Sequence, residues 1–214
     1  MTDKDLLTGH DIDAEQLGDW RVIFAELRAR FGTADFASAL HLVDRIGAAA
    51  EEADHHPDID LSWGRVGVRL SSHDAGGLTQ RDVRLARTIS GIAAELGATA
   101  RTDVLTGLEF ALDTPDIQAV QPFWAAVLGY EAGTDDVVDP TGSRPTVWFQ
   151  RTETAGPQRW HPDVGVPPEV AQERIRVALA AGGTLVSDAS APAFWILADT
   201  QGNRVCVTTW QGRD

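Results

Sequence analysis

The chain has 214 residues, enough for one large domain or two small ones, each able to bury its own core. Lys plus Arg number 18 against 32 Asp plus Glu, a net charge of −14; with 11 basic to 18 acidic residues before position 104 and 7 to 14 after, neither half hides a basic patch, and nucleic acid and anionic membranes are repelled throughout. The single cysteine, Cys206, excludes an internal disulfide and a zinc site built from cysteines, and no apolar run approaches ~18 residues, so a soluble cytoplasmic protein is expected.

In chain order, residues 11–19 read as a short polar helix. Trp20 to Thr33 alternates as a strand with Val22, Phe24, Leu27, Ala29 and Phe31 as its apolar positions, and the change of parity between Phe24 and Leu27 predicts a tight turn or bulge there. Asp35 is an N-cap for a helix reaching Ala53, with Phe36, Leu40, Val43, Ile46 and Gly47 at helical spacing. After a second pair of strands, Ala75-Gly76-Gly77 forms a loop, and Thr79 with Asp82 is a capping box opening a helix that runs through Leu96 and closes at Gly97.

The second strand pair carries the clearest chemical signal. His55-His56-Pro57 precedes His73, and residues 58–72 between them alternate apolar and polar on both sides of Gly64. With Gly64-Arg65 as a two-residue turn, Trp63 faces Val66, Leu61 faces Val68, Ile59 faces Leu70 and Asp60 faces Arg69; extended two pairs further, the polar face sets His56 opposite His73. The alternative is that these histidines are surface polar residues at strand ends. A zinc site of His55, His56 and His73 is conceivable, but neighbouring histidines on a strand point to opposite faces.

The pattern Glu51, three residues, His55-His56-Pro57, five residues, Trp63, nine residues, His73, eight residues, Asp82 resembles the pterin-4a-carbinolamine dehydratases, also called 4a-hydroxytetrahydrobiopterin dehydratases, over residues 10–97. The resemblance implies that His55 and His73 act as acid and base, that His56 helps hold the pterin, and that Glu51, Asp54, Ile59, Ser72 and Asp82 contact the substrate. It also implies dimers or tetramers, a small-molecule pterin as partner, and no metal or redox cofactor. The chemistry suits the residue types, because histidine titrates near neutrality and can both protonate a departing hydroxyl and remove a ring proton. Read from position alone, Glu51 either orients His55 from one turn back or is a solvated carboxylate, Asp82 fits helix capping better than catalysis, and Trp63 sits at the turn, far from the histidines. Regular strand geometry does not deliver His55 to the site.

Residues 97–103 read as a linker, and beyond it a repeat with a period of about 52 residues appears. Leu108–Pro115 leads into a helix from Ile117 to Leu128; His161–Pro167 leads into a helix from Val170 to Ala180. Each helix is followed by three short strands: Tyr130–Ala132, Asp136–Val138 and Thr146–Arg151, then Thr184–Ser187, Phe194–Ala198 and Arg204–Trp210. These paired βαβββ units, with Phe123-Trp124, Leu128-Gly129-Tyr130 and Asp199-Thr200-Gln201-Gly202-Asn203, resemble the glyoxalase-like, vicinal-oxygen-chelate fold. Metal-using members draw ligands from the first strand of each repeat and from late strands. The first-strand positions here hold Glu109 and His161, while Cys206 stands where a glutamate often follows the Gly-Asn turn, which breaks the oxygen and nitrogen set and argues against a divalent metal. Trp124, Trp148, Trp160, Trp195 and Trp210 either fill a core or line an apolar pocket.

The expected protein is α+β. An antiparallel four-stranded sheet with helices on one face (residues 1–98) and a linker (99–105) precede a paired βαβββ glyoxalase-like domain (106–214). The expected activity is dehydration of pterin-4a-carbinolamine to quinonoid dihydropterin and water by histidine acid/base catalysis. The alternatives are a small-molecule binding protein acting through its C-terminal domain, whose ligand is unknown, and a metal-dependent enzyme using Glu109 and His161.

Overall fold

A computed structural model describes residues 3–153, 159–200, 202 and 204–213. The chain forms two compact units. The first runs to Leu105 and also takes in the segment starting at Trp210; the second spans Thr106–Thr209.

The first unit contains α1 (Gly9–Ala14), β1 (Arg21–Ile23), β2 (Glu26–Gly32), α2 (Phe36–Ala53), β3 (Asp58–Ser62), β4 (Arg65–Leu70), α3 (Gln80–Glu95) and β5 (Thr99–Ala100). The sheet order is β1-β2-β4-β3, with β5 pairing the far end of β2. The four expected strands are therefore joined by a fifth, and it lies in the segment read from sequence as a linker. All pairings are antiparallel. The first helix starts earlier than its polar residues indicate, because Thr8 and Asp11 form a capping box. The turn between β1 and β2 falls at Phe24, whose φ of 54° reverses the chain where the apolar parity changes.

Packing follows the strand period. Leu27, Ala29 and Phe31 of β2 face Leu70, Val68 and Val66 of β4, all buried, and they join Ala39, Leu42 and Ile46 of α2 and Val83, Ala86 and Ile89 of α3 in one core. The buried stripe of α2 is Ala39, Leu42, Ile46 and Ala50; Phe36 and Leu40, also at helical spacing, lie on its exposed side. Trp210 belongs to this unit: its ring packs edge-on to His10, 5.1 Å between centroids, and touches the first unit's core.

The hairpin register differs from the sequence expectation by one turn position. Asp58 faces Arg69, Ile59 faces Val68, Asp60 faces Gly67 and Leu61 faces Val66, so Trp63-Gly64 forms the turn rather than Gly64-Arg65. The apolar face is preserved because the partners slip by two residues, and side chains alternate with a period of two. The ion pair becomes Arg69–Asp58 at 3.7 Å. Gly64 decides the position: it takes the left-handed φ of 70° as the second turn residue, and its carbonyl accepts the Thr33 N–H at 2.9 Å. A Cβ here would lie 3.4 Å from the Thr33 carbonyl oxygen. Gly64→Ala is expected to lower the unfolding free energy by about 1 kcal/mol, read by denaturant unfolding; an unchanged midpoint would contradict this account.

The second unit contains β6 (Gly107–Thr114), α4 (Ile117–Leu128), β7 (Glu131–Ala132), β8 (Asp136–Val138), β9 (Val147–Arg151), β10 (Trp160–Gly165), α5 (Pro168–Ala180), β11 (Thr184–Ser187), β12 (Phe194–Ala198) and β13 (Arg204–Thr208). Its eight-stranded sheet has the order β11-β12-β13-β10-β6-β9-β8-β7. The two first strands, β6 and β10, pair antiparallel at the centre, and each pairs parallel with the last strand of its own repeat. Both helices cover one face: Trp124 of α4 packs with Leu112, Phe149 and Trp160, and Ile175 of α5 with Val164, Trp195 and Val207. In the Asp199–Asn203 turn, Gln201 and Asn203 lie outside the described residues. Among the described residues no helix is long and apolar enough to cross a membrane.

Candidate active site

His55 reaches the interior of the first unit through the end of a helix, not through a strand. Asp54 closes α2 in the left-handed conformation, φ 46° and ψ 41°. The Asp54 N–H then donates to the Glu51 carbonyl at 3.3 Å and the His55 N–H to the Ala50 carbonyl at 3.2 Å, the paired bonds of a Schellman closure. This reversal turns His55 inward, where only 7% of it remains exposed.

There His55 meets Asp82, the capping residue of α3. His55 Nε2 lies 2.7 Å from Asp82 Oδ1. Asp82 Oδ2 accepts from Ser72 Oγ at 2.7 Å and from the Thr79 N–H at 2.8 Å. Because Ser72 gives its proton to Asp82, it accepts from Thr79 Oγ1 at 2.8 Å, and Thr79 Oγ1 in turn accepts the Arg81 N–H. Asp82 is 0% exposed, so every oxygen of this carboxylate must be satisfied from within. An ionised carboxylate only accepts, which puts a proton on His55 Nε2 and leaves Nδ1 as the nitrogen able to exchange a proton with a substrate. Capping and histidine orientation are thus one function of one residue. The capping box at Thr79 pointed to Asp82; Thr79's own place in the network went unread.

The other histidines are placed differently. His56 is exposed and its Nε2 lies 3.2 Å from Glu51 Oε1. It does not face His73: the ladder begins at Asp58, and His73 sits in the turn bracketed by the Ser72–Gly77 bridge. The expected His56–His73 pairing fails because it was carried past the end of the strands. His73 is exposed, one residue from Ser72, which holds Asp82. Its loop is pinned by Asp74, which pairs with Arg81 at 2.5 Å and Lys4 at 3.0 Å. The Arg81 guanidinium first, then Lys4, hold the Asp74 carboxyl well below the usual carboxylate range. Ile59 packs against the core from β3, and Trp63, 74% exposed, stands at the hairpin turn.

Asp54 lies exposed at the helix end, so its backbone conformation is its visible contribution. Asp54→Gly is expected to raise the unfolding free energy by about 0.5–1 kcal/mol, since glycine adopts φ > 0 freely and a negative charge leaves the helix C-terminus. A fall in stability would show that the carboxylate itself holds the reversal.

A second cluster lies on the helix-free face of the second unit's sheet. Register puts Glu109 of β6, Asp163 of β10 and Cys206 of β13 side by side, with His161 two residues from Asp163 on the same face. The ligand atoms of His161, Asp163 and Cys206 all lie within 4.8 Å of one another. Trp148 Nε1 donates to Asp163 Oδ2 at 3.1 Å. Of the five tryptophans read as core or pocket, Trp148 alone borders this cluster; Trp124, Trp160 and Trp195 pack in the second unit's cores and Trp210 in the first unit's. Asp163 was missed in the sequence, although its spacing from His161 places both on one face of a strand.

Residues 5–92 match the family model described as pterin 4 alpha carbinolamine dehydratase, and residues 109–208 match that of a glyoxalase-like domain. A protein of Thermosynechococcus vestitus is 42% identical over 89 residues, covering 41% of this chain and 94% of its own length. One from Nocardia farcinica is 47% identical over 79 residues, covering 37% of this chain and 83% of its own; both carry the name "Putative pterin-4-alpha-carbinolamine dehydratase". A crystal structure titled transcriptional coactivator/pterin dehydratase, from Brucella melitensis, is 28% identical, covers 42% of this chain and 99% of its own, and superposes with a TM-score of 0.40. Since the relatives from Thermosynechococcus vestitus and Nocardia farcinica, 42% and 47% identical, are spanned over 94% and 83% of their own length, the chain belongs to the pterin 4 alpha carbinolamine dehydratase family through its N-terminal unit, with a glyoxalase-like domain following it.

Proposed function

We propose that the N-terminal unit dehydrates 4a-hydroxytetrahydropterin, a small-molecule pterin, to quinonoid dihydropterin and water. The observation that carries this reading is the buried His55–Asp82 pair at 2.7 Å. A carboxylate that holds one ring nitrogen fixes the tautomer and direction of the imidazole and leaves the other nitrogen to exchange a proton, as a group that alternately accepts and donates a proton requires. In the reaction the C4a–O bond breaks as the hydroxyl leaves with a proton, and a proton departs from the ring nitrogen to form the new double bond. His55 and His73 serve as the acid and base, one proton entering as the other leaves. His56, with Glu51 at 3.2 Å, is the exposed group that holds the pterin.

Decay of freshly generated 4a-hydroxytetrahydropterin, followed by ultraviolet absorbance with and without the full chain, tests the proposal. Acceleration by wild type and its loss in His73→Ala is expected. Equal rates with and without the protein would end it.

A further inference from the structure

We infer that Lys4 is a positioning residue for the dehydration: through Asp74 it fixes the turn that carries His73. The inference rests on the role proposed above for His73 as acid or base. Lys4 is no part of the Glu51-to-Asp82 pattern, and Asp3 and Lys4 lie ahead of residues 5–92, the segment that matches the family model.

The turn is closed from within: the Ser72 N–H donates to the Gly77 carbonyl, and the Ala75 and Gly76 N–H groups donate to the Ser72 carbonyl, each at 2.9 Å. Ser72 Oγ anchors one flank of His73 to Asp82 at 2.7 Å, and the anchor on the other flank is Asp74. Residues 3–7 run along this turn as a strap. The Leu7 N–H donates to the Leu78 carbonyl at 2.8 Å, and the Leu7 side chain is buried in the first unit's core. Leu6 lies against Gly77, where a Cβ would come within 3.1 Å of Leu6 Cδ2. Lys4 Nζ is 3.0 Å from Asp74 Oδ2. Asp3 accepts from Arg84 Nη1 at 3.1 Å and Nη2 at 3.0 Å, which ties the strap to α3. Arg81, three residues before Arg84 on the same helix, donates to Asp74 Oδ1 at 2.5 Å. Arg84, Asp3, Lys4, Asp74 and Arg81 therefore alternate in sign around the turn.

Carboxylate geometry explains why a second cation matters when Arg81 is already present. The terminal torsion of an aspartate is soft. Arg81 on Oδ1 alone lets the group swing, whereas Lys4 on Oδ2, held by the strap, stops that rotation and with it the movement of the adjoining His73. The Lys4 side chain is 70% exposed and that of Asp74 47%, so the contact has the modest strength of a surface ion pair and leaves global stability nearly untouched. Rate is the more sensitive readout, because a catalytic group displaced by about 1 Å loses much of its effect.

In the full chain, Lys4→Ala is expected to lower kcat about 2–5-fold with KM and melting temperature unchanged, and Lys4→Arg to restore the rate. The gap between wild type and Lys4→Ala should narrow as salt rises from ~0.05 to ~1 M, because screening weakens the pair. Lys4 is the chain's one lysine, so amine chemistry makes the same comparison on the unmutated protein. Acetylation removes the charge and should reproduce Lys4→Ala; reductive methylation keeps it and should leave the rate as it was, with Lys4→Arg treated in parallel to account for the α-amino group. Amide hydrogen exchange at Ala75 and Gly76 reads the turn independently of activity and should quicken in Lys4→Ala. Unchanged exchange, an active wild type whose kcat the substitution does not alter, or a change confined to KM would overturn the inference. Quickened exchange in a protein that does not accelerate dehydration would instead defeat the proposed activity, and the role of Lys4 in it, while leaving the strap in place.

Discussion

His73→Ala is expected to slow 4a-carbinolamine dehydration by about 10²–10⁴-fold while leaving the melting temperature unchanged. His73 is exposed, in a loop whose shape is set by its neighbours: Ser72 is buried against Asp82 and Thr79, and Asp74 is tied to Arg81 and Lys4. Removing its ring uncovers no buried polar group, so a loss of rate reports chemistry alone. His55→Ala is the contrasting case. It leaves Asp82 Oδ1 buried without its 2.7 Å partner, which should cost about 1–3 kcal/mol in addition to a similar loss of rate. Rates and denaturant midpoints measured on both variants separate the roles; His73→Ala with full activity would remove His73 from the mechanism.

The difference between these histidines shows where sequence reading stops. Strand alternation in β2, β3 and β4 was legible because a period of two with one buried face leaves few ways to pair the strands. The turn position was not, because the sequence around Gly64 allows two neighbouring turns that bury the same face. Only the left-handed φ of Gly64 and its bond to Thr33 distinguish them. His55 was opaque for a related reason. Its direction depends on Asp54 adopting φ 46°, a conformation that a non-glycine residue rarely announces. Asp82 was legible as a cap from Thr79-x-x-Asp82, yet its second oxygen was free to take on another task, and local spacing carries no information about a partner 27 positions away. Asp163 was hidden similarly: its neighbours Glu109 and Cys206 lie on other strands, and only the register of the sheet brings them together.

Asp82→Asn tests whether the buried pair sets the protonation of His55. The amide oxygen must take the place of Oδ2, because that position receives the Thr79 N–H at 2.8 Å and the Ser72 hydroxyl at 2.7 Å, and an NH₂ there would set donor against donor. The NH₂ group then falls at Oδ1 and donates to His55 Nε2. His55 must accept at Nε2 and carry its proton on Nδ1, the reverse of the wild-type tautomer, and an imidazolium would find no carboxylate beside it. The helix cap survives, so stability should fall by only about 1–2 kcal/mol, against about 2–4 kcal/mol for Asp82→Ala, which strips the cap and leaves several buried donors unsatisfied. The rate should nevertheless drop by about 10²–10⁴-fold in Asp82→Asn. Nitrogen NMR of the His55 ring would show the tautomer exchange directly. A folded Asp82→Asn variant with the reversed tautomer and wild-type turnover would mean that Asp82 caps α3 and supports the fold, and that the proton transfers of dehydration do not pass through His55.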